Sequence, residues 1–246
     1  MKKNNLIYFF VKNIIDLIYI SYYRKLQKKT LKKLNSYSII KNVIDVGAHH
    51  GETIEMFFDV FPNLQNCHAF EPYSKSFEKL SSKYLNNKKV KLYNIAISNE
   101  KSEKNLNIST IEDGQSTLNN INNNSKWFTI KKLFMGDKNI YSHKELVKTD
   151  LLKNLFKDKI DVLKIDTEGN ELKVLESCGD LLLDTKFILL EIHKSKMFDG
   201  YDHNEIFSFL EKNNYLMMKE FKFPFMMWSD VLFYNSKFFN FNNIKE

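Results

Sequence analysis

The sequence predicts an α/β fold with a mostly parallel sheet and helices on both faces. From Asn42 onward, short apolar runs of strand length alternate with stretches patterned as helices. The runs end in Gly, Pro or acidic residues, the punctuation of strands that hand over to loops. At the far end, Tyr215–Phe221 and Val231–Tyr234 follow one another with little room for a helix between them. Such an ending predicts an antiparallel hairpin at the sheet edge. A chain of 246 residues suits one large domain, taken as 41–246, with residues 1–40 as a helical extension.

The elements follow in order. Asn42–Val46 is the first strand, closed by Gly47, and Glu52–Phe61 the helix after it. Asn66–Phe70 is the second strand, stopped by Glu71-Pro72, and Ser74–Leu85 its helix. Val90–Ile97 reads as the third strand. Ser98–Asn124 is rich in Asn and Ser and reads as an excursion over the sheet, with Trp127–Phe134 and Glu145–Thr149 as added strands beyond it. The regular pattern resumes with the strand Ile160–Asp166, the helix Asn170–Ser177 and the strand Lys186–His193. The helix Asn204–Asn213 then leads into the terminal strand pair.

Composition narrows the class. Hydrophobic residues make up 43% and aromatics 14%, enough for a packed core and against global disorder. The net charge of +7 is concentrated between Arg24 and Lys33 and in polar loops, without the Arg-rich, aromatic-interleaved patch that grips nucleic acid. No nucleic-acid partner is expected. Cys67 and Cys178 sit in apolar contexts, too sparse for a disulfide framework or a zinc site, and read as buried thiols in a reducing cytoplasm. Leu6–Tyr23 is apolar, but Lys12, Asn13 and Asp16 interrupt it, so it falls short of the about 20 residues of a membrane span. It reads as one or two amphipathic helices packed on the domain, with contact to a membrane surface as the minority reading.

In an open parallel sheet, ligands bind beyond the carboxyl ends of the strands, and four clusters lie there. In Asp45-Val46-Gly47-Ala48-His49-His50-Gly51, Gly47 permits the sharp turn from strand to helix and Gly51 close packing of that helix. The free N–H groups of a helix start suit the carboxylate of an amino-acid-bearing cofactor, and Asp45 its ammonium. Ala48, His49 and Thr53 belong to the same turn. Glu71, at the second strand tip beside Pro72, is placed to accept both hydroxyls of a ribose. The third tip, Asn94-Ile95-Ala96, lies on the adenine side by topology.

The segment from Ile160 to Glu171 carries Lys164 inside a buried strand and then Asp166, Glu168 and Glu171. A buried lysine needs a partner, and the carboxylates offer a general base or a seat for a cationic cofactor. For Glu171, a stabilising acid at a helix start is the better reading. Glu191 and His193 lie two apart on one strand and share a face. His193 is a candidate proton acceptor.

Taken together these motifs resemble the FkbM family of S-adenosylmethionine-dependent methyltransferases. The resemblance runs from about Val43 to Tyr234 through the first loop, Phe70-Glu71-Pro72, Gly114-Gln115-Ser116 and Lys164-Ile165-Asp166-Thr167-Glu168-Gly169-Asn170-Glu171. It implies a Rossmann-like class I fold, with a seven-stranded mostly parallel sheet and an antiparallel C-terminal hairpin. It also implies O-methylation of glycans or small metabolites. By position, Asp45, Gly47, Gly51 and Glu71 match the cofactor site, Ser116 a loop serine over it, and Asp166, Glu168 and His193 the acceptor side. Two positions depart: His49 stands where the family carries Asn, and Thr149-Asp150 lacks an intervening Leu.

The expected reaction is in-line attack of a hydroxyl on the sulfonium methyl, with His193 or Asp166 as base and Glu168 orienting. Asp166, Glu168 and His193 together would admit a metal, but no ligand spacing compels one. The rivals are a nicotinamide-dependent oxidoreductase, disfavoured by the missing third glycine of the dinucleotide fingerprint, and a non-catalytic binding protein on the same fold.

Overall fold

The computed structural model describes residues 22–110, 113–125, 128, 140–141, 143–222 and 227–240. The amphipathic helices expected over Leu6–Tyr23 and the strand expected over Trp127–Phe134 fall, all but Tyr22, Tyr23 and Phe128, outside them.

The helix α1 (Arg24–Lys33) precedes the domain. The main sheet begins with β1 (Asn42–Val46), which α2 (Glu52–Val60) joins to β2 (Asn66–Phe70). From there α3 (Ser74–Tyr84) leads to β3 (Val90–Tyr93). A side sheet follows, made of β4 (Ala96–Ile97), β5 (Ser102–Ile108) and β6 (His143–Asp150). After α4 (Leu152–Leu155) the chain returns through β7 (Val162–Ile165), α5 (Glu171–Cys178), α6 (Leu181–Asp184) and β8 (Phe187–His193). Then come α7 (His203–Lys212), β9 (Tyr215–Lys222) and β10 (Trp228–Asn235). The main sheet has seven strands in the order β3-β2-β1-β7-β8-β10-β9. β10 runs antiparallel to both neighbours and the other pairings are parallel. This is the Rossmann-like arrangement expected, with the strand order reversing between β1 and β7.

The central strands are apolar on both faces, as a sheet covered on both sides requires. Val43, Val162, Leu189 and Leu232 pack on one face with Ile54, Phe57 and Leu31 from α2 and α1. Ile44, Leu163, Ile188 and Leu190 pack on the other with Val174, Leu175, Ile206 and Leu210 from α5 and α7. Each side chain so buried contributes about 1.5–3 kcal/mol. The extension is part of this core: the Tyr23 hydroxyl donates to the Phe221 carbonyl at 3.2 Å, and Gln27 bonds the Asp230 carboxylate. No described helix is long and apolar enough to cross a membrane.

Two elements differ from expectation. The single third strand Val90–Ile97 divides into β3 and β4, which belong to different sheets. The break falls at Asn94, whose amide donates to the carbonyls of Glu71 and Pro72 at 2.9 and 3.1 Å. The chain there serves a turn rather than a ladder. Part of the polar excursion is the strand β5, paired antiparallel to β6. Its residues are mostly Lys, Asn, Glu and Ser, but Leu106 and Ile108 cover Tyr73, Ala96 and Val147 in a small core of their own.

Candidate active site

A cavity of about 340 Å³ opens at the carboxyl ends of β1, β2 and β7. Of the residues singled out in the sequence, Gly47, Ala48, His49, Thr53, Glu71, Pro72, Ala96, Ser116 and Asp166 line it. Asp45, Gly51, Asn94, Glu168 and His193 do not; they stand behind or beside its wall.

The floor is the turn after β1. Gly47 has φ 80°, and a Cβ there would lie 1.8 Å from the Asp166 carbonyl oxygen, so β1 and β7 close together only over a glycine. Gly51, with φ 84°, starts α2 against the Tyr84 ring, whose hydroxyl donates to the Gly51 carbonyl at 3.0 Å. Gly51 therefore supports the site from beneath the helix. The other side of the turn meets Gly114, where a Cβ would touch the His49 ring at 3.4 Å. The Gly114–Ser116 loop is thereby laid over the cavity, and the Thr117 hydroxyl ties it down by donating to the Glu168 carbonyl at 2.6 Å.

Asp45 does not reach the cavity, contrary to a direct role in holding an ammonium. Its side chain is fully buried, and the Lys164 ammonium stands 3.1 Å from it. The same ammonium donates to the Gly47 carbonyl at 2.8 Å and lies 3.4 Å from Asp166 Oδ2. Burial opposes the charge on Lys164, but Asp166 and Asp45 outweigh it and hold the group protonated. Lys164, which itself lines the cavity, thus joins the ends of β1 and β7.

Glu71 closes the second wall. Its Oε2 accepts from the His49 N–H at 2.8 Å and its Oε1 from the Tyr73 N–H at 2.9 Å. Burial raises its pKa to about 7 despite these donors. Each carboxylate oxygen keeps a further lone pair for a ligand donor. At the mouth, the His49 and His50 rings stack 3.6 Å apart, with His49 Nδ1 3.4 Å from Glu52. Burial works against the Glu52 charge, yet the His49 contact takes its pKa down to about 2.

Beyond Asp166 lies a denser polar group. His193 Nε2 is 3.3 Å from Glu191 Oε2 and 3.6 Å from Glu168 Oε2. Glu191 hydrogen-bonds Asp166; burial first, then the charges of Asp166 and Asp230, push its carboxyl well above the ordinary range. Asp166 opposes its own desolvation through Lys164 and the Glu191 bond, and its pKa is lowered. It is the ionised carboxylate of the group that faces the cavity. Glu171 is buried and accepts from the N–H groups of Thr167 and Gly169, so it braces the loop after β7 in the helix-start role read for it. Asp150 lies just before α4, off the cavity, and accepts from the Leu151 N–H and the Asn154 side-chain amide.

Arg24 was missed by the sequence reading. It lines the cavity from α1 and donates to the Glu52 carbonyl at 2.6 Å. Its basic neighbourhood reads as a solvated face, and only the packing of α1 brings this one cation inward.

The sheet order that carries this cavity is that of a Rossmann-like methyltransferase fold. The methyltransferase FkbM domain family matches residues 45–217, and the chain belongs to that family of methyltransferases. Among solved structures, the methyltransferase FkbM from Methylobacillus flagellatus KT aligns at TM-score 0.53 and 14% identity, over 80% of this chain and 44% of that one. The chain thus spans less than half the length of that relative. An rRNA methylase from Streptococcus thermophilus aligns at TM-score 0.48 and 10% identity, covering 85% of this chain and 94% of its own. A putative rRNA-methylase from Clostridium thermocellum aligns at TM-score 0.49 and 8% identity, over 85% and 93%. No curated protein matches the sequence.

Proposed function

We propose that the chain transfers a methyl group from S-adenosylmethionine to a hydroxyl of a glycan or small metabolite. The observation that carries this reading is one cavity walled by Glu71 at the β2 end and by Asp166 at the β7 end. Its volume of about 340 Å³ falls in the range of small-molecule sites. The residues fit the cofactor. Glu71 offers acceptors to two ribose hydroxyls, Pro72 and Ala96 give apolar wall beside it, and the Gly47 turn, which has no room for a Cβ beside the Asp166 carbonyl, forms the floor.

S-adenosylmethionine supplies a methyl group on a cationic sulfonium that departs as a neutral thioether. The protein's work is then positioning and removal of a proton. Asp166, kept ionised by Lys164, accepts the proton of the acceptor hydroxyl. The Gly114–Ser116 loop excludes water from above. His193, only 2% exposed and off the cavity wall, acts through Glu191 and Glu168. The free buried thiols of Cys67 and Cys178 support a reducing compartment such as the cytoplasm. The tip of β7 reads Asp166-Thr167-Glu168-Gly169. That sequence supports a hydroxyl acceptor over a flipped base.

Thermal unfolding with added ligand tests the reading. S-adenosylhomocysteine at about 100 times its dissociation constant adds about 2.7 kcal/mol, which raises the midpoint by about 5–10 °C at this chain length. NAD leaves the midpoint in place. A shift with NAD and none with S-adenosylhomocysteine would sink the proposal in favour of an oxidoreductase.

A further inference from the structure

The structure assigns a site for a transition-metal dication to Glu168, Glu191 and His193, beside Asp166. The first reason is an unanswered imidazole. His193 is 2% exposed, yet among the described residues neither ring nitrogen has a hydrogen-bond partner, and Glu191 Oε2 also lacks one. A buried polar group left unsatisfied costs about 1–3 kcal/mol, so a fold does not keep several together without a partner for them.

The spacing identifies that partner. One ligand atom from each of the three residues lies within 4.8 Å of the others, with His193 Nε2 at 3.3 and 3.6 Å from the two carboxylates. A charge-assisted hydrogen bond from imidazole to carboxylate closes to about 2.7–2.9 Å. Ligands that share an ion at about 2.0–2.2 Å stand about 3.0–3.6 Å apart. The observed separations are those of ligands around an ion.

Charge and rigidity agree. The charges of Asp166, Asp230 and Glu171 all bear on Glu191, and the one nearby ammonium, Lys164, is divided between Asp45, the Gly47 carbonyl and Asp166. A dication would neutralise the surplus. The frame is held before any ion arrives. Glu168 sits at φ 51°, and the His193 N–H donates to the Tyr201 hydroxyl at 3.0 Å. The Phe198 ring meets the imidazole edge-on at 5.3 Å. Phe198 reaches that place because Gly169 has no Cβ, which would lie 2.4 Å from its ring.

One imidazole with two carboxylates suits Mn²⁺, Fe²⁺ or Zn²⁺ over the all-oxygen preference of Mg²⁺ and Ca²⁺. Three protein ligands would leave positions open for water or, on the methyl-transfer reading, for an acceptor oxygen brought in past Asp166, which lines the cavity and would take its proton. The rival group, His49, His50 and Glu52, lies at the exposed mouth, where both imidazoles crowd one carboxylate oxygen of Glu52.

The test uses the full chain freed of metal by a chelator. Mn²⁺ is titrated against it by electron paramagnetic resonance, and Zn²⁺ by calorimetry. The proposal expects one equivalent bound. His193→Ala and Glu191→Gln weaken it by more than about 100-fold, the upper end of what loss of an outer-shell partner alone causes. His50→Ala leaves binding intact, and circular dichroism verifies that each variant is folded. If His193→Ala does not fold, Glu168→Gln and His193→Gln carry the comparison. The proposal is overturned if Mn²⁺ and Zn²⁺ stay free, if folded His193 variants bind as the parent does, or if His50→Ala abolishes binding. Titration of S-adenosylhomocysteine into the same samples reads the methyl-transfer proposal separately, because that ligand is held at the Glu71 end.

Discussion

The two ends of the cavity are built on opposite terms. At the β2 end, both Glu71 oxygens are hydrogen-bonded to backbone N–H groups, and beside it the cavity-lining Lys164 is shared among Asp45, the Gly47 carbonyl and Asp166. At the β7–β8 end, His193 is as deeply buried but has neither nitrogen hydrogen-bonded among the described residues, and Glu191 is held against another acid. At the first end the Glu71 carboxylate is engaged at both oxygens by backbone donors as folded. At the second, acids crowd one another, and burial with the neighbouring charges pushes Glu191 toward its protonated form. Preorganisation of the first kind binds the same molecule at every turnover; the second kind is where charge has to move.

The largest expected effect comes from removing what joins the two ends. Lys164→Met leaves the Asp45 carboxylate fully buried without its cation, a loss of about 3–5 kcal/mol in chemical denaturation. Burial already pushes the Asp45 pKa up against the pull of Lys164, so the variant also gains a stability that falls with rising pH. A loss below about 1 kcal/mol would mean that the pair is not the joint described.

Asp166→Asn separates the ends. It keeps the shape of the wall and removes the proton acceptor, so methyl transfer falls by about 10²–10⁴-fold. S-adenosylhomocysteine affinity, measured by calorimetry, stays within a few-fold of the parent. Equal losses in both would place Asp166 in cofactor binding instead.

The smallest effect sharpens the cofactor end. Glu71 has its pKa raised by burial to about 7 in the unliganded fold. Its uncharged form is favoured there, so its contribution to stability is present below the unfolded carboxyl value and is lost as pH rises through about 7. Ribose hydroxyls donate to the ionised form, so binding releases a proton. Affinity for S-adenosylhomocysteine then tightens between pH 6 and 7, by up to about tenfold per unit, and levels off above. Glu71→Gln flattens the profile. An unchanged affinity from pH 6 to 8 in the parent would detach Glu71 from the ribose.

Much of this was legible in the residues. The alternation of apolar runs and helical stretches placed β1, β2, β7 and β8 within a residue or two, because central parallel strands are apolar on both faces. The turn at Gly47 was legible because few residues tolerate that φ. Lys164 announced itself as a charge in an apolar run. β5 was not legible, because Ser-Glu-Lys-Asn-Leu-Asn-Ile has the composition of a loop and becomes a strand only against β6. Arg24 was hidden for the same reason, as one basic residue among many.

The amino-acid sequence by itself determined the family, the strand–loop–helix order and the residue types at the strand ends. These are local properties, written in periodicity and in the few residues that a tight turn admits. The tertiary structure alone decided which of those residues face the cavity. Asp45 was turned inward to Lys164, His193 was buried behind Asp166, and Arg24 was carried in on α1. The reason is that facing is set by packing across strands and helices distant in the chain, where a pairing such as Asp45 with Lys164 spans more than a hundred residues.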